Sequence, residues 1–342
     1  MRGKEGGPFS QFNRWLTGTT AVPGADPFVF AHPDKNTLLL LQSGNNHSIT
    51  IREFEEPSDI ENRKKGKPTK LWAPGRSKNG FELWAPEAHQ LGKKFYIPYT
   101  ASDGENENHR MYVLESEGAN PMGPYHPAAT EKDRDGRIFD KENDHFAIDM
   151  TYLQLNDELY AIYSGWDGPD EQFPQNLYIA RMKNPWTIAG ERQLLKRPKF
   201  PWEKSVKPVV EGPQILQHDG RTFLTYSADA SWSQAYKLGM MELTGDDPMD
   251  RASWTQLEDP IFNKGGTGHA SFVETNKGEH IIFFHKKLRP DDGWSDRVLK
   301  QETFHFDRIS GLPVFKAAPA TEIVSFPDLN LPIPTGFHRI AS

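Results

Sequence analysis

The sequence predicts an all-β fold, a five-bladed β-propeller, and two observations carry that reading. Short runs rich in β-branched and aromatic residues recur in pairs along the 342 residues, each pair joined by a turn-forming cluster. No segment of helical period continues for roughly 12 residues before Pro or Gly interrupts it. The pairs are Phe28–Ala31 with Leu38–Gln42, Phe95–Thr100 with Arg110–Leu114, Met150–Leu155 with Glu158–Ser164, Gln214–Gln217 with Thr222–Ser227, and His269–Glu274 with His280–Phe284. Asn156-Asp157, Asp219-Gly220 and Lys277-Gly278 supply turn residues that tolerate positive φ. Five hairpins in one chain suggest radial repetition. The five are not alike in sequence, so a pair of packed sheets is the competing architecture. Neither strand–helix alternation nor a Gly-rich phosphate loop is present.

Composition agrees with a folded, polar, cleft-bearing chain. Hydrophobic residues are only 36% and mean hydropathy is -0.71. Yet aromatics reach 12%, with 9 Trp and 21 Phe, which a disordered chain lacks. One domain is expected over residues 1–342, with 1–15 and 330–342 as extended terminal segments. The Pro-rich stretch Ala317–Ser342 is expected to wrap over the domain or close it, and Glu55–Lys70 to form a long exposed loop. Net charge is -7 with signs interspersed, and Arg63-Lys64-Lys65 is the longest basic run, so nucleic acid is not an expected partner. There is no Cys, hence no disulfide, thiol nucleophile or zinc-thiolate site. Met1–Pro8 has no apolar leader and no run of 18 apolar residues occurs, so neither a membrane nor a retained signal segment is expected. A periplasmic or secreted address would follow if a signal had been removed, a cytoplasmic one otherwise. Oligomeric state is not legible in these residues.

Three acids stand at the edges of the expected strands. Asp26 lies in Gly24-Ala25-Asp26-Pro27, Asp149 in Ala147-Ile148-Asp149-Met150, and Glu211 in Val209-Val210-Glu211-Gly212-Pro213. Asp before Pro is also an ordinary turn residue. Carboxylates in apolar runs are different, because a charge there needs a polar cavity, a cation or a metal. Taken together the three suit glycoside hydrolysis, which needs one protonated carboxyl and one ionised carboxylate. Apolar neighbours raise a carboxyl pKa, so Glu211 suits the acid and the turn residue Asp26 the base. Asp149 is suited to orient the acid and hold its proton by like-charge repulsion. Trp84 is the aromatic best suited to stack on a sugar ring, with core packing as the alternative.

These segments resemble glycoside hydrolase family 43 over most of the chain. Gly24-Ala25-Asp26-Pro27 is similar to the family's general-base motif and Leu83-Trp84-Ala85-Pro86-Glu87 to its second-blade motif. Ala147-Ile148-Asp149 is similar to the segment of the pKa-modulating acid, Glu211-Gly212-Pro213 to that of the general acid, and Gly268-His269-Ala270-Ser271-Phe272 to the fifth-blade motif. The resemblance implies a five-bladed propeller, an active site at the central cavity and an inverting mechanism, with base and acid about 6.5–9.5 Å apart. It also implies a calcium ion in the channel, held by His269 largely through ordered water, and no organic cofactor. A lone His is otherwise more often a satisfied core residue. Tyr163-Ser164-Gly165-Trp166, Asn184-Pro185-Trp186, Trp202-Glu203 and Tyr226-Ser227-Ala228 follow the order of the exo-acting α-L-arabinofuranosidase branch. Arg297 matches an arginine that contacts the sugar, with a surface salt bridge as its alternative, and Trp166 is a candidate for the pocket rim, as are Trp232 and Trp294. Ala270 and Met150 depart from the family's usual Asn and Gly or Pro. The implied substrate is arabinan or arabinoxylan oligosaccharide. A β-xylosidase with the same three acids is the alternative, and a carbohydrate-binding propeller without catalysis is another.

Overall fold

The computed structural model describes residues 22–74, 80–128, 137–138, 144–290 and 293–315. The terminal segments 1–15 and 330–342, and the stretch Ala317–Ser342, lie outside the described residues. What is described forms five antiparallel sheets in chain order.

Blade one holds β1 (Phe28–Ala31), β2 (Leu38–Gly44), β3 (Ser48–Phe54) and β4 (Thr69–Trp72). Blade two holds β5 (Phe81–Trp84), β6 (His89–Leu91), β7 (Lys94–Ser102), β8 (Arg110–Ser116) and β9 (Tyr125–Pro127). Blade three holds β10 (Ala147–Leu155), β11 (Glu158–Trp166), β12 (Gln175–Asn184), β13 (Thr187–Ile188) and β14 (Gln193–Lys196). Blade four holds β15 (Val210–His218), β16 (Arg221–Ala228), β17 (Lys237–Leu243) and β18 (Trp254–Gln256). Blade five holds β19 (Thr267–Glu274), β20 (His280–Lys287), β21 (Arg297–Phe306) and β22 (Pro313–Phe315). All five expected hairpins are present, and the competing packed-sheet arrangement is not the one adopted. The helices among the described residues are short 3-10 turns.

The core lies between blades, which explains strands that are apolar on both faces. Successive side chains of a strand point to opposite sides. Leu39 and Leu41 therefore pack with Ile97 and Tyr99 of blade two, while Leu38 and Leu40 pack with Ile281 and Phe283 of blade five. Blade three does the same: Tyr163 and Tyr178 face Met111 and Val113, and Ile162 and Ile179 face Leu224 and Tyr226. Hairpin turns follow the sequence chemistry, with Asn156 at φ 51, Asp157 at φ 62, Asp219 at φ 48 and Gly220 at φ 74.

The ring is closed from the N-terminal side. Leu299 donates its N–H to Val22 O at 3.0 Å and Gly24 to Arg297 O at 3.2 Å, so residues 22–24 run along β21 of blade five before the chain enters blade one. The Glu55–Lys70 segment is not simply an exposed loop. Arg63, Lys64 and Lys65 are exposed, but Pro57–Glu61 is a 3-10 turn that buries Ile60 at the joint of blades one and five. Glu61 accepts from Lys300 Nζ at 2.5 Å, and Arg52 Nη2 donates to Ile60 O at 2.9 Å. One apolar side chain in a charged segment is enough to dock it. Glu203, in the Trp202-Glu203 segment, is buried and structural, since it accepts from Lys196 Nζ at 2.8 Å and from Tyr226 OH at 2.7 Å.

Candidate active site

The innermost strands share one backbone irregularity that their sequences hide. In blades three, four and five the register slips between Ile148 and Thr151, Glu211 and Gln214, and Gly268 and Ser271. Each slip is a β-bulge, which turns a side chain away from the ladder. The first bulged residue has positive φ: 57 at Asp149, 53 at Gly212 and 50 at His269. Asp26 (φ 49) and Ala85 (φ 41) adopt the same conformation ahead of Pro27 and Pro86 in blades one and two. Each blade thus contributes one left-handed residue to the channel, at a cost of about 1–2 kcal/mol for each that is not Gly. Such strain persists where surrounding structure holds it.

The preceding blade does the holding. Asp149 donates its N–H to Thr100 Oγ1 at 3.3 Å and His269 to Ser227 Oγ at 2.7 Å. The Asp26 N–H points at His285 Nδ1, 3.3 Å away. Thr100, Ser227 and His285 occupy matching places opposite Trp84, Glu211 and Gly268 on their neighbouring strands. In blade four the pattern changes, because Gly212 donates instead to Asp149 Oδ2 at 3.1 Å. At Gly212 (φ 53) a Cβ would press on the His269 ring at 3.2 Å, closer than ordinary packing.

The three acids converge on His269. Its Nδ1 is 3.2 Å from Asp26 Oδ1 and 4.0 Å from Asp149 Oδ2. Burial disfavours the imidazolium, but Asp26, Asp149 and Glu211 outweigh it and raise the pKa. Asp26 also has His285 Nδ1 at 3.2 Å and Arg297 Nη1 at 3.5 Å. Burial pushes its carboxyl up, yet His269, Arg297 and His285 together hold it well below the usual carboxylate range. His285 is fully buried, and that burial lowers its pKa to about 4, so it is neutral at ordinary pH.

The other two acids are biased the opposite way. Burial raises Asp149 to about 7, with Glu211 and Asp26 adding repulsion against the partial relief of His269. Burial raises Glu211 as well, opposed by His269 and by hydrogen bonds. Those bonds come from Tyr236 OH to Oε1 at 2.8 Å and from Gln175 Nε2 to Oε2 at 3.0 Å. One ionised carboxylate therefore faces two that favour retaining a proton, which is the pairing acid–base chemistry requires.

The remaining residues singled out from sequence separate into two groups. Arg297 reaches the cluster, through Asp26. Trp84 is half-buried, with one face on the His109 ring, 3.6 Å between centroids, and it packs beside Phe146 and Ile148. Trp166 does not present a ring to the cleft: it is 4% exposed and stacks on Phe146 at 4.1 Å, packing behind Ile148. Its rim assignment is corrected to packing. Tyr236, Gln175 and His285 escaped the sequence reading. Only His285 left a signal, a polar residue ending the apolar run Ile281–Phe284, as Asp149 does in its own run.

Asp26 and His269 also line a small cavity together with Phe28, Ala85, Glu87 and Gln214. Glu87 is tied to His89 at 2.8 Å and to Gln214 Nε2. Among the described residues no three His, Cys, Asp or Glu side chains are grouped to hold a metal. His269 turns Nδ1 to Asp26, and the surrounding carboxylates favour its protonated form against the cost of burial. An ion held largely through ordered water, as the family resemblance implies, needs no such group of direct ligands. A water-held calcium ion beside His269 is expected to show as a hydrolytic rate that falls on dialysis against a chelator and returns when calcium is added back.

Comparison with known proteins agrees with this geometry. The sequence description of glycosyl hydrolases family 43 matches residues 56–304. The chain belongs to family 43. An extracellular exo-α-(1→5)-L-arabinofuranosidase of Streptomyces avermitilis is 32% identical over 287 residues, 81% of this chain and 57% of that protein. α-L-Arabinofuranosidase 43 of Humicola insolens is 28% identical over 91% of this chain and 62% of its own length. The chain thus spans about three-fifths of the curated relatives it matches. Among solved structures, an α-L-arabinofuranosidase from Lactobacillus brevis superposes with a TM-score of 0.77 at 28% identity, covering 87% of this chain and 95% of that one. A thermostable family 43 hydrolase, at 21% identity and a TM-score of 0.69, shares the fold.

Proposed function

We propose that the chain is an exo-acting α-L-arabinofuranosidase that releases terminal arabinofuranose from arabinan or arabinoxylan oligosaccharides. The observation that carries this reading is the gathering of Asp26, Asp149 and Glu211 around the buried His269, with the surroundings of Asp26 favouring its ionised form and those of the other two favouring a proton. Relatives named for this activity supply the sugar. An extracellular site of action suits polymer fragments, and the Streptomyces relative carries that address in its name.

In this mechanism Asp26 takes a proton from a water molecule as its oxygen attacks the anomeric carbon. The bond from that carbon to the leaving oxygen breaks on the opposite face. Glu211 gives its proton to the leaving oxygen, with Tyr236 and Gln175 fixing its carboxyl. Asp149, through Gly212 N–H and its own charge, keeps that proton in place until it is needed. Arg297 and His269 keep Asp26 ionised. Trp84 is the aromatic that would stack on the sugar ring. Attack by water on one face and departure from the other inverts the anomeric centre.

Hydrolysis of para-nitrophenyl α-L-arabinofuranoside, run beside the β-xyloside, tests the reading. Nitrophenol release from the arabinoside is expected to dominate and to be abolished by Asp26→Asn. Release mainly from the xyloside would keep the mechanism and change the sugar.

A further inference from the structure

Two tryptophans that the mechanism leaves unused stand on the same side of the ring as the acids. The acid-bearing ends of the sheets are the start of β15 and the end of β16, where Glu211 pairs with Ser227, and the start of β19 and the end of β20, where Gly268 pairs with His285. The loop from β16 to β17 and the loop from β20 to β21 leave from those ends. The first carries Trp232 and finishes at Tyr236, whose hydroxyl donates to Glu211. The second carries Trp294 and finishes at Arg297, 3.5 Å from Asp26. The two indoles meet edge to face with centroids 5.1 Å apart.

Trp294 is 55% exposed, which is costly for the largest apolar side chain and calls for an explanation. It is nevertheless firmly held. Its Nε1 donates to Ser231 Oγ at 3.2 Å, and its carbonyl accepts from Arg297 Nε at 3.4 Å. The carbonyl of the preceding Gly293 accepts from the buried Lys287 Nζ at 2.7 Å, and that ammonium is paired with Asp296 Oδ1 at 2.6 Å. Gln234 Nε2 ties the two loops together by donating to Lys287 O and Arg289 O, both at 3.1 Å. An exposed aromatic braced by a buried ion pair and a cross-loop amide is a preorganised surface.

We propose that Trp294 and Trp232 form the platform for the leaving sugar, the ring joined to the arabinose through the oxygen that Glu211 protonates. This rests on the arabinofuranosidase reading and adds a second subsite to it. The terminal arabinose has to descend to Asp149, which is 4% exposed. Whatever remains attached to it stays outside, on the side of the acid, where these two loops stand. A flat apolar pair there matches the C–H face of a sugar ring.

The test compares arabino-oligosaccharide with para-nitrophenyl α-L-arabinofuranoside, which has no second sugar. In Trp294→Ala the ratio of kcat/KM on the oligosaccharide to that on the aryl arabinoside should fall on the order of tenfold, the effect of withdrawing one ring face from contact. The fall should lie mainly in KM. Trp294→Phe should recover part of it, and Trp232→Ala should reproduce it more weakly. A ratio equal to wild type in both alanine variants, with unchanged melting temperatures, would overturn the platform while leaving the activity standing. A wild-type protein that cleaves neither substrate would instead sink the reading on which the platform rests.

Discussion

Glu211→Gln is expected to lower kcat on arabino-oligosaccharide by about 10²–10⁴-fold, the range for losing a general acid. The change is nearly isosteric. An amide oxygen can still accept from Tyr236, and the Gln175 amide can turn to meet an NH₂ group, so the melting temperature should stay at the wild-type value. The loss should be smaller on the aryl arabinoside, because nitrophenolate departs without needing a proton. A base or a merely structural residue would not sort substrates by leaving group in this way. Rates above one-hundredth of wild type on the oligosaccharide, about 10⁻² by the same range, would remove Glu211 from the acid role.

His269→Gln is expected to damage both stability and rate. His269 is buried against the ionised Asp26, 3.2 Å away, and the nearby acids favour its protonated form; breaking a buried ion pair by removing one partner typically costs about 3–5 kcal/mol. Without the cation Asp26 loses part of what keeps it ionised, and Asp149 and Glu211 lose the attraction that offsets their burial. The rate should fall with the fraction of ionised Asp26, and its acid limb should move upward in pH.

The stability effect also has a direction in pH. A His whose folded pKa is raised contributes fully below its ordinary value of 6.5. It loses that contribution as pH climbs through the raised folded value. The gap in melting temperature between wild type and His269→Gln should therefore be wide near neutrality and close as pH rises. Melting curves across that range check it, and a gap that widened toward alkaline pH would mean His269 is neutral in the fold.

How much of this was legible beforehand depends on the range of the interaction. Strand pairs such as Met150–Leu155 with Glu158–Ser164 were readable because turn chemistry and β-branched content are local. Asp149 and Glu211 were readable because a carboxylate in an apolar run has few stable solutions. Trp166 was misread for the complementary reason: a Trp at a strand end looks the same whether its face meets solvent or, as here, Phe146.

The sequence by itself determined the strand pairs, their turns, and which carboxylates had to find a polar partner, since each follows from residues within a few positions. Only the tertiary structure decided who those partners are. Asp26 meets His285 where the ring closes, 259 residues away along the chain, and Glu211 meets Gln175 from blade three and Tyr236 from the β16–β17 loop of its own blade. The left-handed positions at Asp26, Ala85, Asp149, Gly212 and His269 repeat in space and not in letters. What recurs there is a backbone conformation, and at Asp26, Asp149, Gly212 and His269 a hydrogen bond to the preceding blade holds it.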